Sequence, residues 1–192
     1  MVLAGGTAVR LGGVDKASVE LDGRTLLEHA LDALVDAEEV VVVMPASVPT
    51  SRPVTVTRED PPHGGPVAGL LAGTDALVRP ADLLVVLAVD MPWVTPATVR
   101  RLREAATGRD GAFLVDDEAT RQLAGVLDGP RLAAVSPSLE GRHGMPLHRL
   151  LEPLDLATVP ARGREARDVD TWEDLREGRG EDSGELGPDH PA

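Results

Sequence analysis

The sequence predicts an α/β fold on a mostly parallel sheet, and three observations carry that expectation. Apolar runs alternate along the chain with stretches of helical periodicity. Two of the runs, residues 40–44 (VVVVM) and 83–89 (LLVVLAV), are continuous rather than alternating, as strands buried on both faces are. The length, 192 residues, suits one domain and suffices to bury a sizeable core.

The elements follow in order. Residues 1–4 form a very short apolar run that leads into a glycine-rich stretch. Residues 25–35 place Leu26, Leu27, Ala30, Leu31 and Leu34 on one helical face. The strand at 40–44 is closed by Pro45, and residues 54–57 alternate as a further strand. A turn-rich loop at 60–65 precedes a helix over 67–77, and 83–89 is the clearest strand in the chain. Thr95 as N-cap and Pro96 in the first turn open a helix that reaches residue 106. Strands are expected at 111–115 and 122–127 across the polar turn 116–120, then a helix over 131–139 broken at Pro137. A short helix at 146–151, a strand at 156–159, and a turn with a short helix over 169–175 complete the fold. Residues 1–177 are thus read as one domain. Residues 178–192, mostly Gly, Glu, Asp, Arg and Pro, are read as a disordered acidic tail. Only Met1 and Val2 precede LAGG, so the expectation is that the start lies upstream of Met1 or that the first strand frays.

Charge and composition narrow the function classes. A net charge of -13 argues against non-specific nucleic-acid binding, which needs a basic face. Residues 173–192 alone hold seven acidic residues against two arginines. Anion sites built from backbone amides and a metal ion remain compatible with an acidic chain. The absence of cysteine excludes disulfides and thiolate metal sites and fits a cytoplasmic protein. The five histidines lack metal-ligand spacing. No run approaches the roughly 18 apolar residues of a membrane span, and the N-terminus has no signal-peptide pattern. Eighteen of the nineteen basic residues are arginine; the one lysine is Lys16.

That lysine lies in the chain's first chemical motif, LAGGTAVRLGGVDKA, residues 3–17. The motif sits between a strand and a helix, where an open α/β sheet places its ligand. Gly5, Gly6, Gly12 and Gly13 allow sharp turns and close approach, so that successive amides can converge on phosphate oxygens. Arg10 and Lys16 add two cations. The spacing matches neither the dinucleotide fingerprint nor the P-loop. The bland alternative is a glycine-rich surface loop with incidental charges.

Asp90 ends the clearest strand, on the same sheet edge as the glycine motif. Mg2+ takes one or two carboxylates with phosphate oxygens and water, and Asp90 stands where one is needed. It can equally be an aspartate that opens a turn before Pro92. Asp168 and Asp170, at i and i+2 on an extended stretch, point the same way and can face one cation. Their alternative is a capping cluster in which Asp170 or Thr171 opens the helix from Trp172.

LAGG, RLGG and DKA together resemble the signature of molybdenum cofactor guanylyltransferases, the MobA-type branch of the nucleotidyltransferase superfamily. VDMP (89–92) resembles that family's metal-binding segment, DVDTWEDL (168–175) its late acidic segment, and GPVAG (65–69) its base-recognition helix start. The resemblance implies a single-domain, three-layer α/β/α fold of the nucleotide-diphospho-sugar transferase type. It implies transfer of GMP from GTP to molybdopterin or its metal-loaded form, with release of pyrophosphate. LAGG with GGVDK favours GTP over CTP. Arg10, Lys16 and Asp90 carry the implied catalysis, and Leu3, Ala4, Gly5, Gly6, Lys16, Asp60 and Asp90 the implied nucleotide contacts. Mg2+ falls to Asp90 with Asp170 and Asp168. Arg142, His143 and His148 are candidate contacts for the phosphorylated pterin, against the reading of surface basic residues. Proteins that supply or receive the cofactor are implied as transient partners; nucleic acid and membrane are not. Met44 stands where the family often has asparagine and cannot make that polar contact; Trp172 stands for a proline. Open alternatives are a cytidylyltransferase of the same cofactor, a sugar-phosphate nucleotidyltransferase, a guanylyltransferase of another cofactor pathway, and a non-catalytic nucleotide-binding protein.

Overall fold

The computed structural model describes residues 1–5, 7–8, 14–45, 48–59 and 64–180. The first strand, β1 (Val2–Leu3), is two residues long and paired in parallel on both sides. β2 (Thr7–Ala8) and β3 (Val14–Asp15) form a small antiparallel pair, followed by a 3-10 turn at Lys16–Ser18. β4 (Glu20–Leu21) and β5 (Arg24–Thr25) make a second small hairpin. Its turn residues Asp22 and Gly23 have φ of 52 and 76°, the pair of positive angles that a two-residue hairpin turn requires. The remaining strands are β6 (Val41–Val43), β7 (Thr55–Thr57), β8 (Leu83–Ala88), β9 (Gly111–Val115), β10 (Arg121–Asp128) and β11 (Leu156–Pro160).

The main sheet has seven strands in the order β11-β9-β10-β8-β1-β6-β7. Every neighbouring pair is parallel except those of β10, which runs antiparallel to both β8 and β9. β9 and β10 are joined by a tight turn around Asp116, whose carboxylate accepts from the Glu118 and Thr120 amides. A turn that short returns the chain antiparallel.

Helices cover both faces. α1 (Leu26–Ala33), α3 (Pro96–Ala105) and α7 (Trp172–Gly180) belong to one layer, whose core takes Val2, Val42, Leu87, Leu114 and Val126 from the sheet. α2 (Pro66–Asp75), α4 (Gly129–Val135) and α6 (Leu147–Leu151) pack on the other, against Leu3, Val43, Val86, Phe113 and Leu127. Neighbouring residues of one strand thus feed opposite cores, because side chains alternate along a strand. This is the expected three-layer α/β/α arrangement. Among the described residues no helix is long and apolar enough to cross a membrane.

β1 does not fray. Val2 is fully buried, Met1 is 6% exposed, and the Met1 amino nitrogen donates to the Val85 carbonyl at 2.8 Å. α2 lies close on this strand, because a Cβ at Gly73 would meet the Met1 sulfur at 2.5 Å. The helix expected over 131–139 is broken at Pro137 as expected: α4 ends at Val135 and a short α5 (Leu139–Arg142) follows. α7 runs to Gly180, three residues into the stretch read as tail; residues 181–192 lie outside the described residues.

Candidate functional site

Because six of the seven strands are parallel, their C-terminal ends share one edge, and four segments meet there: the chain after β1, the Lys16 turn, the loop after β8 and the segment after β11. Register fixes the first. Leu3 pairs with Val43 and Ala88, the Ala4 amide donates to the Val43 carbonyl at 2.8 Å, and the Val89 amide donates to Leu3 at 3.0 Å. The side chains of Leu3 and Ala4 are buried, so these two residues offer a ligand only backbone, while Gly5 is exposed at the strand's end. Gly6, Arg10 and Asp60 lie outside the described residues, as do Gly12 and Gly13.

Lys16 is planted by its neighbours. Asp15 caps the turn by accepting from the Ala17 amide at 3.0 Å, and Ala17 and Val19 are buried in the core. The ammonium then meets two carboxylates: it donates to Asp90 Oδ2 at 2.8 Å and to Asp170 Oδ1. Asp90 is held on a turn whose apolar residues Val89, Met91 and Val94 are all buried. The Val169 amide donates to the Asp90 carbonyl at 2.8 Å, which brings the 161–170 segment against the end of β8. Residues from three distant parts of the sequence thereby converge on one nitrogen.

Electrostatics at this point follow from proximity. Burial works against the Lys16 charge, but hydrogen bonds and attraction from Asp170 and Asp90 outweigh it and hold its pKa above the usual lysine value. Asp168 is exposed and makes no direct contact with the lysine, yet it lies within electrostatic reach. Partial desolvation and then repulsion from Asp170 and Asp90 push its carboxyl above the usual range. An ammonium has three donors. Among the described residues two are taken by the carboxylates, and the third is the donor available to an anion.

The donor set fits a hard divalent cation. Asp90 and Asp170 each place a carboxylate oxygen within hydrogen-bond reach of one nitrogen. Among the described residues no group of three or more potential metal ligands gathers. Two carboxylates, with phosphate oxygens and water, are the coordination Mg2+ favours. Asp170 is the better placed of the late pair. The capping alternative is also present: Thr171 and Asp174 close the start of α7, with the Asp174 carboxylate accepting from the Asp170 and Thr171 amides. Thr171 takes the capping role, which leaves the Asp170 side chain to the lysine.

One carboxylate at this edge was not anticipated. Glu59 follows β7, and its Oε1 stands where a Cβ on Gly5 or Gly69 would come within 2.9 or 3.2 Å. Those two glycines admit it between the glycine motif and α2, and its position one residue before Asp60 was the available signal. Met44 is 1% exposed in the core. Arg142 pairs with Asp75 and its side chain is 14% exposed, so it ties α5 to α2 and does not project as a free acceptor contact. His143 and His148 are exposed. A separate cavity of about 760 Å3 opens at the opposite end of the strands, lined by Met1, Leu34, Val78, Arg100 and Arg103, away from these carboxylates.

Residues 1–162 match the family described as a MobA-like NTP transferase domain, which is most of the chain. The chain belongs to the MobA-like NTP transferase family. Among curated relatives, a molybdenum cofactor guanylyltransferase from Acidiphilium cryptum is 43% identical over 77 residues, 38% of this chain and 39% of that protein. The match thus spans about two fifths of the curated relative. Among solved structures, the molybdopterin-guanine dinucleotide biosynthesis protein A of Archaeoglobus fulgidus superposes with a TM-score of 0.70 at 22% identity, covering 92% of this chain and 94% of that one. The 2-C-methyl-D-erythritol 4-phosphate cytidylyltransferase of Thermus thermophilus does so at 0.72, with 22% identity over 92% and 95%. The MobA-like fold is therefore shared with a protein named for a different base and acceptor, so fold alone does not choose the substrate.

Proposed function

We propose that this MobA-like chain transfers GMP from GTP to the terminal phosphate of molybdopterin, or of its metal-loaded form, to give the guanine dinucleotide cofactor. The carrying observation is Lys16 held between Asp90 and Asp170 at the end of β8, beside the strand that feeds the glycine motif. An oxygen of the acceptor phosphate attacks the α-phosphorus of GTP. The bond from that phosphorus to the oxygen bridging to the β-phosphate breaks, and pyrophosphate leaves with the electron pair. The attacking group is already anionic, so no general base is required.

Catalysis then rests on in-line positioning and charge neutralisation. Gly5, with Gly6, brings backbone close to the phosphates, and the third Lys16 donor, with Arg10, neutralises charge that builds on them. Asp90 and Asp170 would hold Mg2+, which when bound supplies Lewis-acid polarisation of phosphate oxygens and a template. Glu59, with Asp60 next in sequence, offers a carboxylate that accepts from the N1 and N2 donors of guanine, a pair cytosine does not present. A cytoplasmic location and transient contacts with cofactor-supplying or cofactor-receiving proteins accompany this reading.

The test is pyrophosphate release measured with GTP, CTP, ATP and UTP, against molybdopterin and against sugar phosphates. GTP with molybdopterin is the expected productive pair. A preference for CTP would overturn the base assignment, and turnover only with a sugar phosphate would overturn the acceptor.

A further inference from the structure

The segment between β11 and α7, residues 161–171, has no regular secondary structure, yet it must deliver Asp170 to within contact of Lys16. Its sequence, ARGREARDVDT, offers little apolar surface; Val169 is its one fully buried hydrophobe. What holds it is polar. Among the described residues, Thr98 and Glu165 are the two buried polar side chains, at 0 and 9% exposure, and they bond each other at 2.6 Å. The Glu165 carboxylate also accepts from Arg101 at 2.7 and 3.1 Å and from the Arg162 amide at 2.7 Å. The other guanidinium arm of Arg101 donates to the carbonyl of Pro160, the last residue of β11, at 2.8 Å. Arg164 stacks over Trp93 at 4.0 Å, three residues past Asp90.

A buried ion pair is a poor device for stability alone, since apolar side chains of the same volume often do as well. Apolar contact is non-directional, however. It would keep the segment on α3 without fixing where Asp170 ends. Bonds at fixed angles from Thr98, Arg101 and the Arg162 amide do fix it, and the Val169–Asp90 bond transmits that register to the site. We propose that Glu165 is a positioning residue, clamped by Thr98 and Arg101, which sets Asp170 opposite Asp90 for a divalent cation. This inference rests on the reading of Asp90 and Asp170 as metal-holding carboxylates.

The test compares wild type with Glu165→Gln and, in case that variant fails to fold, Arg101→Met. Mn2+ binding is read by electron paramagnetic resonance of the free ion, with no nucleotide present and well below each protein's melting temperature. Loss of supporting partners around metal ligands weakens affinity by about 10- to 100-fold; the expected loss here is about 10-fold, with kcat falling alike and KM for GTP nearly constant. Gly125→Ala serves as a destabilised control, because its Cβ would meet the Phe113 ring at 2.5 Å in the core on the other face of the sheet from Val169. It should lower the melting temperature and leave Mn2+ affinity alone. Wild-type Mn2+ affinity in both network variants would overturn the proposal, as would no Mn2+ binding by wild type. Wild-type Mn2+ binding without nucleotide transfer to any acceptor would instead overturn the functional reading and spare this one.

Discussion

Replacing Lys16 by methionine keeps the apolar stem and removes the ammonium that joins Asp90 to Asp170. Two consequences follow, and their sizes differ. For stability, the bond to half-buried Asp90 is a charge-assisted hydrogen bond of about 1.5–3 kcal/mol. The bond to Asp170, whose side chain is 38% exposed, is screened and contributes at most about 1 kcal/mol. Relief of the ammonium's own desolvation offsets part of this, which leaves a net loss of about 2 kcal/mol. For a chain of this size that lowers Tm by roughly 4–8 °C. For transfer, removing one preorganised donor from a site of developing charge slows kcat by about 10²- to 10³-fold. Lys16→Arg separates the two. Its planar fork can bridge both carboxylates and restore most of the Tm, but it presents its remaining donors in another geometry and leaves kcat low. Calorimetry and a coupled pyrophosphate assay read the two effects. A Lys16→Met protein that loses stability but keeps half of the wild-type kcat would refute the catalytic argument and leave Lys16 as a structural clasp.

Glu165 should carry a pH signature. Burial raises its pKa, but hydrogen bonds from Arg101, Thr98 and the Arg162 amide outweigh that and hold it below its ordinary value of 4.5. Its contribution to stability is thus present above that value and lost as pH falls through the lowered one. Urea unfolding of wild type and Glu165→Gln should differ most above about pH 5 and converge in acid. The Met1 amine acts in the same direction at higher pH: burial pushes its pKa from 8.0 down to about 5. The unfolded chain then binds the extra proton between those values, so this group makes stability rise from pH 5 to 8. Nα-acetylation, which keeps the N–H but removes the charge, should abolish that rise; a rise that persists would exclude the amine as its source. Gly73→Ala should cost about 1–3 kcal/mol by overpacking against Met1 and Val43. An unchanged denaturation midpoint would show that α2 can retreat from β1.

Much of the fold was legible because strand and helix periods differ. The valine and leucine runs at β6 and β8 mark buried parallel strands, and Asp90 at the end of β8 falls at the edge where such sheets bind ligands. What stayed hidden depended on direction or distance. Nothing within residues 122–127 shows that β10 runs backwards; only the tightness of the Asp116 turn does. The β4–β5 hairpin carries the Asp-Gly turn signal, but its strands are two residues long and show no alternation. The resemblance grouped Lys16, Asp90 and Asp170 in one site, but their direct ion pairs, across 74 and 154 residues, and the partners of Glu165, 64 and 67 residues away, are contacts no local pattern encodes. Arg142 read as a surface cation because Asp75, its partner, is 67 residues earlier.

The interior position of β1 also orders events in time. Val2 needs Val42 on one side and Leu87 on the other, so β1 cannot settle until the chain through β8 has been made. The carboxylate that completes the Lys16 contact, Asp170, arrives last of all. A chain stalled with residue 169 just clear of the ribosomal tunnel would hold the seven-stranded sheet with the lysine facing Asp90 alone. Nucleotide capture by such stalled chains, as a function of length, would therefore trace the assembly of the site, with its final gain when the last segment docks.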